Sequence, residues 1–139
     1  MTIPLEIQRA TQEFDKFLHM ARDEAGLATR NQAYTMVEAV LLTFRHRLDV
    51  GQAIRFAAIL PPVLRAIFVE NWDIDEAKRP FLSRQALTRE AQSLRRDHNF
   101  APDSAIYNVA KALRMHIDQV KLDDFLAGLS AEAREYWSV

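Results

Sequence analysis

A chain of 139 residues with 49% hydrophobic and 27% charged side chains has the balance of one globular domain, not of a disordered segment. It has no cysteine, which excludes a disulfide scaffold, a thiol nucleophile and a thiolate metal site, and its three glycines and five prolines are too few for a turn-rich β-sandwich. A net charge of −1 lacks the whole-domain footprint of a nucleic-acid binder, and the longest uncharged stretch, Phe56 to Leu64, is nine residues with two prolines, too short to span a bilayer.

The amino terminus carries Glu6, Glu13 and Asp15 and no apolar h-region, so a cytoplasmic protein is expected. In the first helix Ile7, Ala10, Phe14, Phe17 and Ala21 recur every three or four residues, which lines them up on one face. Thr2 stands where a cap belongs, Pro4 fits the first turn, and Gly26 followed by Leu27 supplies a left-handed stop. Thr29 to Gln32 has the form of a capping box, opening a second helix with Ala33, Val37, Val40, Phe44 and Leu48 inward. Asp49, with Gln52 three residues on, caps a short third helix carrying Ala53, Phe56 and Ala57. Leu60-Pro61-Pro62 ends it and starts a fourth helix with Leu64, Ile67 and Phe68 inward.

Asn71 to Pro80 is a charged connector anchored by Trp72. A fifth helix is expected over Phe81 to Asp97, with Leu87, Ala91 and Leu94 aligned and a stop at Asn99. Pro102 starts a sixth with Ile106, Val109, Leu113 and Ile117 inward. Asp118 caps a seventh bearing Leu122, Phe125 and Leu126, and Ser130 caps an eighth that ends near Trp137.

The lengths run long, long, short, short, twice. An offset of 69 residues lays Asn31–Phe68 over Phe100–Trp137 without a gap and gives seven identities: Val40/Val109, Arg45/Arg114, Asp49/Asp118, Phe56/Phe125, Ala58/Ala127, Leu60/Leu129 and Arg65/Arg134. The first helices match at an offset of 73, pairing Gly26 with Asn99, which makes the first interhelical loop about four residues shorter in the second copy. The expected architecture is therefore all-α: two four-helix units, residues 3–72 and 80–138, joined by 72–80. Neither can close its own core, so they pack face to face with pseudo-twofold symmetry in one domain.

The run Glu13-Phe14, Phe17-Leu18, Leu27, Leu48, Leu60-Pro61-Pro62, Arg65, Phe68 and Trp72, echoed as Phe81-Leu82, Leu129-Ser130-Ala131, Arg134 and Trp137, resembles the bacterial domain-of-unknown-function family 2267 over nearly the whole chain. The second copy departs from the Leu-Pro-Pro step, with Ser130-Ala131 where the family often has a proline. The resemblance implies a helical, internally duplicated domain, and it brings no activity, cofactor or catalytic residue.

Asp15, His19 and Asp23 share a helix face at i, i+4 and i+8, a spacing that could hold a divalent ion but is generic, and a solvated polar face is the preferred reading. No Glu-x-x-His occurs, so a carboxylate-bridged di-iron bundle is not supported. His46 and His116 stand near helix ends, where the dipole favours a cation. No nucleophile elbow, phosphate loop or carboxylate pair is found, and the chain is read as non-enzymatic with no cofactor. Asp49 and Asp118 recur as caps. Arg65 and Arg134 recur over the start of their short helices, positions that suit carbonyls, acids or an anion.

Between Lys78 and Arg96 lie six cations (Lys78, Arg79, Arg84, Arg89, Arg95, Arg96) and one acid, Glu90. Arg84 and Arg95 would share one face of the fifth helix, Arg89 and Arg96 another. No aromatics interleave with them, as single-strand stacking would want. The leading expectation is a non-catalytic module that binds another protein, self included as a homodimer, because Ile3, Leu5, Ile59, Val63 and Ile67 exceed what single apolar faces need. The alternatives are a small ligand held between the units near Trp72 and Trp137, and nucleic-acid contact through Arg84, Arg89, Arg95 and Arg96.

Overall fold

A computed structural model describes residues 2–139. Among the described residues the regular structure is entirely helical: α1 (Leu5–Gln8), α2 (Ala10–Ala25), α3 (Arg30–Arg45), α4 (Val50–Ile59), α5 (Pro62–Val69), α6 (Arg84–Ser93), α7 (Ala105–Arg114), α8 (Gln119–Ala127) and α9 (Ala131–Tyr136), with a 3-10 turn at Arg96–His98. The expected first helix is thus two. Arg9 leaves helical geometry at φ −102°, ψ 10°, although its N–H still bonds Leu5 O and its carbonyl still accepts from Glu13. Pro4, not Thr2, precedes the first helical residue and no side chain caps α1, so Thr2 is not the cap. Ile7 is 47% exposed rather than inward, because α1 lies outside the core and buries none of its residues.

The local stop and start signals hold elsewhere. Gly26, at φ +67°, lets its own N–H reach Asp23 O and that of Leu27 reach Arg22 O, closing α2 in the paired pattern of a left-handed cap. Thr29 with Gln32 and Asp49 with Gln52 form reciprocal capping boxes on α3 and α4. Asp118 and Ser130 cap α8 and α9 by the same chemistry.

The fifth helix is shorter than its apolar spacing suggests. It starts at Arg84, capped by Ser83, and ends at Ser93. Asn99 does stop it, but by its side chain: the amide donates to Ala91 O at 2.8 Å and Leu94 O at 2.7 Å, taking up carbonyls the helix would have used. Arg95 turns to φ +49°. The α6–α7 connection is therefore longer than α2–α3, not shorter, and α7 begins at Ala105, one turn after Pro102. Helix lengths run 16, 16, 10 and 8 from α2 to α5 but 10, 10, 9 and 6 from α6 to α9. The second set keeps the order without the two long members.

At the centre α3 is buried almost all round: Ala33, Met36, Val37, Val40, Leu41 and Phe44 are each at most 1% exposed. A helix in that position must be apolar on more than one face. It packs on α2, α5, α6 and α7, while α7 packs on α2, α3, α6 and α9. Exchange α2, α3, α4 and α5 for α6, α7, α8 and α9, and each of these helix contacts maps onto another: α2 on α7 becomes α6 on α3, and α4 on α8 maps to itself.

The aromatic centre crosses between the two sets. Trp137 stacks on Phe56 (5.5 Å between rings) and meets Phe44 edge-on (5.3 Å). Tyr136 stacks on Phe44 and gives its hydroxyl proton to Val40 O, and Phe56 meets Phe125 at 5.7 Å.

Candidate functional site

The residues singled out by spacing do not gather into one site. Asp15 is held by Arg30, while His19 and Asp23 face each other at 3.3 Å on an exposed turn. Among the described residues no three His, Asp or Glu side chains are placed to hold a metal ion.

The basic run is also broken up. Arg79 pairs with Glu76 at 3.0 Å and Glu90 at 3.4 Å. Arg84 folds onto the chain end, donating to Tyr136 O and Ser138 O beside the Tyr107 ring. Arg89, Arg95 and Arg96 are exposed, but α6 ends before Arg95 and Arg96, so the shared faces expected of them do not form.

Arg65 and Arg134 meet helix ends, not helix starts. Arg65 donates to Ala57 O and Leu60 O, which close α4, and Arg134 to Leu129 O, which follows α8. A cation on unpaired carbonyls at the negative end of a helix is the ordinary fate of such a residue.

The two tryptophans lie apart. Trp137 is fully buried in the aromatic centre, while Trp72 is half-buried at the rim of a crevice that Trp137 does not line. The crevice, about 210 Å³, lies between the α3–α4 corner and the connector, with Arg45, His46, Asp49, Trp72, Glu76 and Lys78 on its walls.

Arg45 underlies it. The guanidinium rests 5.5 Å from the centre of the Trp72 ring and gives hydrogen bonds to Phe68 O and Glu70 O at 2.9 and 3.0 Å. Burial holds its proton affinity below the ordinary value. Arg114, 69 residues on, donates to Trp137 O at 2.7 Å, and Phe68 and Trp137 are themselves 69 apart. Arg45 and Arg114 thus do the same work, tying the last helix of each set to its second helix.

Beside the crevice lies an ionic knot that the sequence reading did not find. Arg47, 3% exposed, sends both terminal nitrogens to the Glu90 carboxylate and also donates to Thr43 O and Pro80 O. Glu90 takes Arg79 as well. The Arg47 hydrogen bond, more than any other influence, pulls the Glu90 carboxyl below its ordinary pKa, against the opposing effect of burial. The sequence did mark Glu90, as the lone acid in a run of cations, without giving it a partner.

His46 ends α3 next to this knot. Its Nδ1 is buried without a hydrogen-bond partner, 3.8 Å from a Glu90 oxygen. Burial first and the Arg79 charge second push its pKa down, so burial opposes the proton that its helix end would favour. His116 instead turns Nδ1 to Ala112 O at 2.8 Å and its ring edge to Phe17.

A second surface feature is apolar. Along α4 and α5, Ile54 is 62% and Val69 43% exposed, and they flank a shallow groove floored by Ala57 and Ala58, with Arg65 at its edge. Of the five apolar residues expected in excess, Ile67 is buried in the core and Ile59 and Val63 pack half-buried against it; Ile3 and Leu5 remain exposed.

The model of one protein family, described as an uncharacterized conserved protein (DUF2267), matches residues 14–136, and the chain belongs to that family. No curated protein matches it.

Proposed function

We propose that this DUF2267 domain is a non-catalytic helical module, made of two copies of one four-helix unit, that binds another protein through the α4–α5 face. The observation that carries the reading is the exposed Ile54 and Val69 over an alanine floor. Burying the area that these two side chains still expose would contribute roughly 1–2 kcal/mol each, which the free monomer forgoes. The duplication draws support from the exchange of helix contacts and from the matched arginine bonds: Arg45 to Phe68 O with Arg114 to Trp137 O, and Arg65 to Leu60 O with Arg134 to Leu129 O. Repeat boundaries near 3–72 and 80–138 follow from it.

A second copy of the chain is the partner to test first. Light scattering over a concentration series should report dimer in the wild type and monomer in Ile54→Asp and Val69→Asp. Monomer throughout removes the homodimer, and a wild-type dimer that both variants preserve removes the α4–α5 face.

The Trp72 crevice favours a second reading, a small ligand resting on an aromatic ring beside Arg45. A thermal-shift screen with metabolites and metal ions tests it, since a ligand bound only by the folded state raises the melting temperature. Nucleic-acid contact through Arg84, Arg89, Arg95 and Arg96 has less support, because Arg84 is committed to the chain end. No helix among the described residues is long and apolar enough to cross a membrane, in keeping with the cytoplasmic location we propose.

A further inference from the structure

We propose that the connector, residues 70–83, is a pH-sensitive strap: it stays docked as one wall of the Trp72 crevice while His46 is neutral and lets go when His46 takes up a proton.

The strap contains no helix, and its ties run to the end of α3, to the turn that follows it and to Glu90 on α6. The Arg79 N–H donates to His46 O at 2.8 Å, and Arg47 Nε donates to Pro80 O at 3.2 Å. The Arg79 guanidinium reaches Glu90, and Trp72 lies against Arg45. His46 sits in the middle of these, its Nδ1 buried and unpartnered.

A proton on that ring would enter a crowded field. The groups around it are Arg45 from α3, Arg47 from the turn after it, Asp49 from the α4 cap, Glu76, Lys78 and Arg79 from the connector, and Glu90 from α6. Four cations face three acids. The nearest acid, Glu90, has both oxygens engaged by Arg47 and one of them shared with Arg79. Nδ1–H of the imidazolium would therefore be buried beside guanidinium groups without an oxygen of its own, and burial first and the Arg79 charge second push the pKa down from 6.5 against the pull of Glu76 and Glu90.

By linkage, any conformer that returns His46 to water binds the proton more tightly than the closed one, and so gains population as pH falls. The gain is at most tenfold for each unit separating the two pKa values. Displacing the strap exposes His46 without melting a helix, because residues 70–83 contain none. Glu90, its carboxyl pulled below its ordinary pKa by Arg47, stays ionised throughout the histidine window, so the Arg47–Glu90 pair survives while the strap moves.

Hydrogen exchange at the Arg79 amide, corrected for intrinsic rates, reads the strap directly, with Val40 in the core as reference. Between pH 7.5 and 5.5 the Arg79 protection should fall severalfold while Val40 stays protected. Acrylamide quenching of Trp72, with Trp72→Phe as blank, should rise in step. His46→Phe, or His46→Gln should the first not fold, should hold Arg79 protection level across the range, and His46→Lys should lower it already at pH 7.5. Unchanged wild-type protection, an equal fall in the uncharged variants, or simultaneous loss at Val40 would each overturn the strap.

Discussion

Replacing Glu90 by Gln tests the ionic knot, because the amide keeps the size of the side chain while removing its charge and turning one of its two acceptor oxygens into a donor. Arg47 would then keep two carbonyls, Thr43 O and Pro80 O, but lose the carboxylate that neutralises a side chain only 2% exposed. Breaking a buried ion pair from one side costs about 3–5 kcal/mol. Glu90 is itself 24% exposed and water can reach the site, which brings the expectation to about 2–3 kcal/mol. For a chain of this length that corresponds to a fall of roughly 7–10 °C in melting temperature.

Urea titration and thermal circular dichroism measure both quantities, and the pH dependence gives a second check. The folded-state pKa of Glu90 is depressed below 4.5, so its contribution is complete above that pH and disappears as pH falls through the folded value. The gap between wild type and Glu90→Gln should accordingly be widest near neutrality and narrow below about pH 4.5. Adding Arg47→Met should restore part of the loss, since an apolar side chain needs no counter-ion. A loss under about 0.5 kcal/mol at pH 7, or a double variant whose losses simply add, would refute the assignment of Glu90 as partner of a buried charge.

Trp137→Ala should cost about 3–5 kcal/mol, seen as a lower urea midpoint, because the ring is fully enclosed between Phe44 and Phe56. Asp49→Ala should cost about 1 kcal/mol through loss of the α4 cap, and Asp49→Asn should recover most of it. Arg84→Ala should destabilise by about 1.5–3 kcal/mol, since its guanidinium serves the carbonyls of Tyr136 and Ser138, whereas Arg89→Ala, on the exposed side of α6, should stay within about 0.5 kcal/mol in the same denaturation assay.

Tertiary partners reassigned several residues that spacing had put together. Arg79, Arg84, Arg95 and Arg96 follow one another in a basic run, yet two bind the fold and two lie past the end of α6. Asp15 leaves the triad with His19 and Asp23 because Arg30, fifteen residues away, crosses the α2–α3 turn to meet it. Arg45 was visible as a recurrence with Arg114, but only the path of the chain brings Phe68 O and the Trp72 ring to it.

The caps of α3, α4, α8 and α9 and the inward stripes of α3, α4, α5 and α8 were legible in the sequence because those signals reach no further than four residues along the chain. Thr29 finds Gln32, Asp49 finds Gln52, and the apolar repeat decides which side faces in. The burial of Trp137 and the Arg47–Glu90 pair, 43 residues apart, were decided by tertiary structure. Such contacts form only where the packed helices exclude water and leave a polar group one partner within reach. That depends on the path of the whole chain and leaves no periodic mark in its sequence.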